Sequence, residues 1–363
     1  MHLSHLSLKN FRSYSELDLP LTPGITIFLG RNGEGKTNIV ESILYMAFLS
    51  SHRTSGDLPL VKLGESAAYT RAKIQHPDRE LLVELEINAE KANRARINQN
   101  PIRSQKELFG LLQCIYFSPE DMDLVRGDPS ERRRFIDQIL TLRSPRMAGV
   151  ISDYERSVRQ RNALLKTRAS LTSLEPWDQQ VAKFGAEIIA ARLSLLTEFN
   201  PYFSKIYANI SAEKPAHITY KASIDNPSVN SQENYSALIN TMAERRNQEL
   251  DRGLTLVGPH RDDLILNLGE HLVKGYASHG ESWSIALSLK LAAYELLITE
   301  GTKPILILDD VFSELDEERR TQLISLAQSA EQTFITVAVE GDLPKNLTGT
   351  TYLVKNGSVK LLS

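Results

Sequence analysis

Residues 30–37 read GRNGEGKT and fill every fixed position of the pattern G-x-x-x-x-G-K-[ST]. A glycine-rich turn that opens a helix aims successive backbone N–H groups at one point, and the positive helix end adds to them. Such a turn cradles phosphate oxygens. Gly30, Arg31, Asn32, Gly33, Glu34 and Gly35 form the expected cradle. Lys36 is expected at the outer phosphates and Thr37 as a ligand of Mg²⁺. A second candidate set lies far downstream, where PILILDDVFSELD (304–316) carries Asp309 and Asp310. Asp309 suits Mg²⁺ held through its water shell, and Asp310 suits a base that polarises an attacking water. The ligand this chemistry expects is ATP with Mg²⁺.

These residues need strands and helices that bring them together. ITIFLG (25–30) is a short apolar run, the mark of a strand covered on both faces. After the turn, Ile39, Val40, Ile43, Leu44 and Ala47 fall on one face of a helix. PILIL reads as a second buried parallel strand. In open α/β sheets ligands sit at the carboxyl ends of strands, so both acids should face the glycine turn.

A third stretch, GYASHGESW (275–283), has no lysine or metal ligand of its own. Ser278 and Glu281 have the spacing of a capping box, and Ile285, Leu289, Ala293 and Leu296 trace the helix that follows. By itself this is only a well-capped helix. The order of elements resembles the ATP-binding-cassette class, in which a signature loop completes the nucleotide site of a second subunit. That resemblance places Ser278 and Gly280 at the γ-phosphate held by a partner copy, and implies a homodimer formed on ATP. The match departs at Glu281, which an anion would repel unless its carboxylate faces its own backbone. It departs again at Asp310, where transporter cassettes carry Glu, and at Ala338–Val339, where they carry a switch His.

Further segments narrow the resemblance. LKNFRSYSELDL, SHRTS (51–55), FSPEDMDLVRGDPSERRRFID (117–137), TLVGPHRDDL (255–264) and LDDVFSELD are similar to characteristic segments of the RecF family, bacterial recombination-mediator ATPases related to the SMC proteins. They occur in family order; only about 166–245 carries no such segment. The resemblance implies ATP-dependent binding to gapped or junction DNA, help in loading the recombinase RecA, and RecR, with RecO, as partners. Asp310, one methylene shorter than Glu, fits a slow turnover, so the activity expected is slow, DNA-stimulated ATP hydrolysis that acts as a release switch. The alternatives are an ATP-binding subunit of a transport ATPase and a non-hydrolysing, nucleotide-dependent DNA clamp.

The middle of the chain bears on the DNA reading. Met147, Val150, Ile151, Tyr154, Val158 and Leu165 keep helical spacing, as do Trp177, Val181, Phe184, Ile188, Ala191, Leu195 and Phe199. Two such helices joined around TRASLTSLEP read as a short antiparallel hairpin. Residues 126–168 hold eleven Lys or Arg against five Asp or Glu. The cluster Arg132, Arg133 and Arg134 is the candidate DNA contact, to backbone phosphates because no aromatic residue interleaves it. Residues 66–103 give three alternating strands, where Arg94, Arg96 and Arg103 read as exposed strand charges in preference to DNA contacts. His260, Arg261, Asp262 and Asp263 cannot all converge on one metal from an extended strand; a structural or interface role is expected.

The fold class expected is α/β: an ATP-binding-cassette-type head with a P-loop and an antiparallel β subdomain, plus an inserted helical lobe containing the hairpin. The expected divisions are 1–118 and 246–363 for the head and 119–245 for the lobe. One cysteine, Cys114, forbids an internal disulfide. With no signal-peptide pattern and no apolar run near the roughly 18 residues of a membrane span, a cytoplasmic protein is expected.

Overall fold

In a computed structural model, residues 1–54, 56–211, 214–344 and 347–362 are described. The chain opens with β1 (His2–Phe11), β2 (Tyr14–Pro20), β3 (Gly24–Leu29), α1 (Lys36–Phe48), β4 (Ala67–Gln75), β5 (Glu80–Asn88), β6 (Arg94–Ile97), β7 (Asn100–Pro101) and β8 (Cys114–Phe117). It continues with α2 (Met122–Arg126), α3 (Pro129–Arg143), α4 (Pro145–Lys166), α5 (Leu171–Ile210), β9 (Ala216–Lys221), α6 (Ser231–Glu244), α7 (Arg246–Arg252), β10 (Asp263–Leu268) and β11 (His271–Leu272). It closes with α8 (His279–Thr299), β12 (Ile305–Asp309), α9 (Glu317–Ser329), β13 (Gln332–Val337), β14 (Thr350–Lys355) and β15 (Ser358–Leu361). Two compact units result: Met1–Asp121 with Ala293–Ser363, and Met122–Ala292.

The first unit holds two six-stranded sheets. One has the order β15-β14-β3-β13-β12-β8, parallel from β14 through β8 with β15 antiparallel at its edge. Its inner strands are covered on both faces: β12 is buried at all five positions and β13 at all six. The other is antiparallel, β2-β1-β4-β5-β6-β7. There β4 and β5 alternate buried and outward positions, as a half-covered sheet requires. The helix residues Ile39, Val40, Ile43, Leu44 and Ala47 are all buried, in one core with Leu6, Leu8, Val83 and Leu85 of the antiparallel sheet and Phe28 and Phe334 of the parallel one. A single helix, α1, therefore ties the phosphate turn to both sheets.

The second unit is built on α4 and α5. The turn between them is only Thr167–Ser170, with Arg168 left-handed at φ 51°. The expected linker was longer; TSLEP instead belongs to α5, which runs 40 residues and contains Pro176 and Pro201. Each proline removes one i→i−4 bond of the helix, Pro176 the one to the Thr172 carbonyl. At the turn end of the hairpin, the fully buried Arg161 donates to Asp178 at 2.7 Å, Glu249 at 2.5 Å and Thr255 at 2.8 Å.

That network also moves the expected boundary at residue 246. Glu249 and Thr255 pair with Arg161, and β10 pairs with β9 in the antiparallel three-stranded sheet β11-β10-β9. Residues 246–292 thus pack with the inserted lobe rather than the head. Helix α8 carries the chain back to the first unit. Among the described residues no helix is long and apolar enough to cross a membrane.

Candidate nucleotide site

The phosphate turn follows β3, the strand between β13 and β14. Its shape depends on two close approaches. A Cβ at Gly30 would lie 2.2 Å from the Val354 carbonyl oxygen, so no larger residue fits there. Gly35 sits at φ 112°, and its carbonyl accepts a 3.1 Å bond from the buried Tyr14 hydroxyl. Glu34 accepts from the Asn356 N–H, which pins the turn to the β14–β15 hairpin. Arg31 is exposed beside it.

Lys36 and Thr37 open α1. The Lys36 ammonium is 3 % exposed and curls back to donate to the Gly30 carbonyl at 2.7 Å, with the Arg31 carbonyl at 3.4 Å and Asn32 Oδ1 at 3.5 Å. Asp310 Oδ2 lies 3.7 Å away. Thr37 Oγ1 donates to Asp309 Oδ1 at 3.2 Å. Residues 36, 37, 309 and 310, separated by most of the chain, therefore meet. The sheet order explains how: β12 is one strand removed from β3, and the strand between, β13, contributes Thr336, whose hydroxyl donates to Asp309 Oδ1 at 2.5 Å.

Asp309 is 4 % exposed, and its second oxygen accepts from the Tyr116 hydroxyl at 3.2 Å. Burial pushes its carboxyl above the usual range, and the Asp310 charge adds to this against the bonds from Thr336, Tyr116 and Thr37. Asp310 is left-handed at φ 52°, a conformation Asp tolerates better than most residues, and its N–H donates to Thr336. Tyr116 in turn meets His52 Nε2 at 3.0 Å. Neither Tyr116 nor Thr336 stood out in the sequence. Both lie in apolar strand runs, and only register shows which ends reach Asp309.

The Thr37 hydroxyl and Asp309 carboxylate are hard oxygen donors side by side. Among the described residues no cluster of three or more His, Cys, Asp or Glu could form a closed protein cage for a metal. A two-oxygen set fits Mg²⁺, which takes few protein ligands and completes its shell with water and phosphate.

A network behind the turn links two further segments. Glu41 of α1 is fully buried and receives Arg12 through Nε at 2.9 Å and Nη2 at 2.5 Å, Ser51 at 2.6 Å and Arg53 at 3.4 Å. Burial alone would raise its carboxyl; the bonds from Arg12 and Ser51 outweigh it and hold the group below the usual range. NFRSY and SHRT are thus anchored to the helix that carries Lys36.

Ser278 and Gly280 lie in the second unit, at the start of α8. The Ser278 N–H donates to Glu281 Oε2 at 2.7 Å and the Glu281 N–H to Ser278 Oγ at 3.2 Å, a reciprocal capping box. The bond from the Ser278 N–H holds the Glu281 carboxyl below its usual range. Glu281 is therefore committed to its own backbone.

The DNA-contact expectation for the arginine cluster needs correction. Arg132 is 5 % exposed and grips Asp263 through Nε at 2.8 Å and Nη2 at 3.0 Å. Arg133 donates to the Asp262 carbonyl at 2.8 Å. Only Arg134 faces outward, paired with Glu131 at 3.0 Å. Much of the surrounding basic run is likewise neutralised from within, by Arg143–Glu198, Arg146–Glu187, Arg159–Glu155 and Arg168–Asp251. Glu187, Glu198, Asp251 and Asp263 lie outside the basic run in sequence, so the run looked less opposed than it is. The His260–Asp263 segment is packed into the same unit. His260 accepts at Nδ1 from Tyr154 (2.6 Å) and Asp262 accepts from Tyr220 (2.6 Å).

A P-loop after a strand of a parallel sheet, an acid at the end of the next strand but one and a large insertion define an ATP-binding-cassette-type head. Residues 2–355 match the model of the RecF/RecN/SMC N terminal domain. Proteins named DNA replication and repair protein RecF, from Streptomyces avermitilis and Frankia alni, are 49 % and 47 % identical; each comparison covers 99 % of this chain and, respectively, 100 % and 99 % of the relative. The chain belongs to the RecF family. Solved structures of the recombination mediator protein RecF in the RecFOR pathway, one with ATP, superpose with a TM-score of 0.91 at 28 % identity, over 100 % of this chain and 98 % of theirs. An SMC head bound to the C-winged helix domain of ScpA, at TM-score 0.58 and 16 % identity over 100 % of this chain and 97 % of that one, shares the fold.

Proposed function

We propose that this protein is a nucleotide-switched mediator of recombinational repair and replication-gap repair. It binds ATP with Mg²⁺, pairs with a second copy of itself, and engages gapped or junction DNA to help load RecA, with RecR and RecO as pathway partners. The observation that carries the reading is the convergence of Lys36 and Thr37, at the start of α1 after β3, with Asp309 and Asp310 at the end of β12, one strand removed in the sheet. Gly30–Gly35 and the α1 N-terminus hold the phosphates, and Lys36 leaves its loop carbonyls for the outer phosphate oxygens. Thr37 and Asp309 hold Mg²⁺, which when bound would neutralise phosphate charge. Asp310 orients the attacking water, so hydrolysis is the release step. Being one methylene shorter than Glu, it makes that step slow. Ser278 and Gly280 act on the nucleotide of the partner copy, which family membership supports in preference to a transporter subunit.

The test is equilibrium binding of ATP with Mg²⁺. A charge-assisted contact is worth about 1.5–3 kcal/mol, so Lys36→Ala should weaken binding about tenfold or more. Undiminished affinity in that variant would remove the assignment. Asp310→Asn should bind ATP normally and turn it over poorly in a phosphate-release assay.

A further inference from the structure

The antiparallel sheet of the first unit has one face on α1 and another that faces outward over a groove of about 810 Å³. Strand register arranges the outward residues in two transverse rows. One runs Glu16, Lys9, Tyr69, Glu86, Arg94; the other runs Ser7, Arg71, Glu84, Arg96. Arg103, just beyond β7, lines the same groove. Lys9, Arg94, Arg96 and Arg103 are exposed, and Tyr69 presents 43 % of its surface at the centre.

The charges are unevenly spent. Arg71 takes Glu84 at 2.6 Å, so the carboxylate opposite Arg96 is already engaged. Glu16 and Glu86 face Lys9 and Arg94 across the register without closing an ion pair. Arg94, Arg96 and Arg103 make no side-chain ion pair among the described residues. Five cations against three carboxylates leave a positive surplus, and it lies along the β6–β7 wall. Arg94 and Arg96 are two residues apart on one face, about 6.8 Å along the strand.

We infer that this groove holds a stretch of single-stranded nucleic acid, its phosphates along Arg94, Arg96 and Arg103 and an unpaired base on the ring of Tyr69. A cationic wall beside an exposed aromatic floor is the arrangement that takes single strands without regard to sequence. Three observations favour it over a duplex or an acidic peptide. Tyr69 lies in the floor, where a base can stack only when it is free of its complement. From β1 to β6 the floor spans three strand spacings, about 14 Å, which suits one strand. The floor also carries Glu84 and Glu86, which would repel acidic side chains laid across it, whereas a nucleic-acid strand places its charge along the wall and its uncharged bases over the floor. The inference deepens the DNA reading above and rests on it; at a gap the groove would take the unpaired strand.

The test uses the full chain with ATP and Mg²⁺, a labelled oligothymidylate, and a duplex of equal length. Combined Arg94→Gln, Arg96→Gln and Arg103→Gln should lower the slope of log affinity against log salt by about 0.7 per lost phosphate contact on the single strand, with duplex binding unchanged. Tyr69→Ala should weaken oligothymidylate binding about fivefold or more while Tyr69→Phe, which keeps the ring, restores it. An unchanged salt slope overturns the site. So does equal loss on duplex and single strand, or a Tyr69→Ala variant with wild-type affinity. Competition by polyglutamate that ignores Tyr69 would make the groove a peptide surface instead. Failure of the wild-type protein to bind either DNA would count against the proposed function itself; the variants would then be scored by polyglutamate binding alone, and any dependence there likewise overturns the single-strand assignment.

Discussion

At the scale of single residues, His260 gives a pH dependence whose sign can be worked out. It sits between the Tyr154 hydroxyl and the Thr255 carbonyl, and burial lowers its pKa from 6.5 to about 4. The folded state therefore keeps the ring neutral where the unfolded chain protonates it. Stability present above pH 6.5 is lost as the pH falls from 6.5 toward 4, by about 3 kcal/mol at most, and the loss levels off below. Urea midpoints at pH 7.5 and 4.5 should separate by more in the wild type than in His260→Gln, which has no proton to gain. A parallel shift in both would discard the assignment. The same residue scale sets what the sequence could disclose. Lys36 and Thr37 were legible because eight adjacent residues specify a phosphate turn, and Asp309 because it ends an apolar run. Tyr116 and Thr336 were not, because their contacts with Asp309 depend on which strands become neighbours. Arg132 misled for a related reason: its carboxylate partner, Asp263, lies 131 positions away.

At the scale of elements, the α4–α5 hairpin was legible from apolar spacing, but its polar pinning was not. Arg161 is fully buried among Asp178, Glu249 and Thr255, and Arg246 reaches Asp178 at 3.2 Å from the other side. Removing one member leaves a buried charge uncompensated, which costs about 3–5 kcal/mol. Arg161→Met should lower the urea midpoint of the protein accordingly. Combining it with Glu249→Leu should recover part of the loss, since the stranded carboxylate is then gone. If the double variant is as unstable as the two losses added, the network is not acting as a coupled unit. The boundary expected near residue 246 failed for the same physical reason. Glu249 and β10 bond to partners inside the insertion, and such long-range pairing leaves no mark in composition.

At the scale of the whole molecule, the Ser278 capping box is built and outward-facing, while its proposed ligand lies on another copy. ATP with Mg²⁺ should convert monomer to dimer in sedimentation, and ADP should not, because a ligand shifts an equilibrium only by its differential affinity. Ser278→Arg should abolish the ATP-dependent dimer while leaving nucleotide binding by the same chain intact. Mixed with Lys36→Ala chains, it should regain partial association through the one intact composite site. Normal dimerisation of Ser278→Arg alone would reduce the loop to a helix cap. The order in which the parallel sheet assembles has a consequence for synthesis. Among the described residues, the strand neighbours of β3, which carries the phosphate turn, are β13 and β14, and those strands come from residues 332–355. On the ribosome, at roughly 5–20 residues per second, β3 waits on the order of 15–60 s for a neighbour, its backbone N–H and C=O groups unpaired and its apolar side chains uncovered. The antiparallel sheet, complete by residue 101, and the inserted unit can both form in that interval. A nascent chain should thus acquire its nucleotide grip last, and a chain stopped before residue 332 should emerge with both parts folded, β3 within the first of them unpaired and aggregation-prone, and no affinity for ATP.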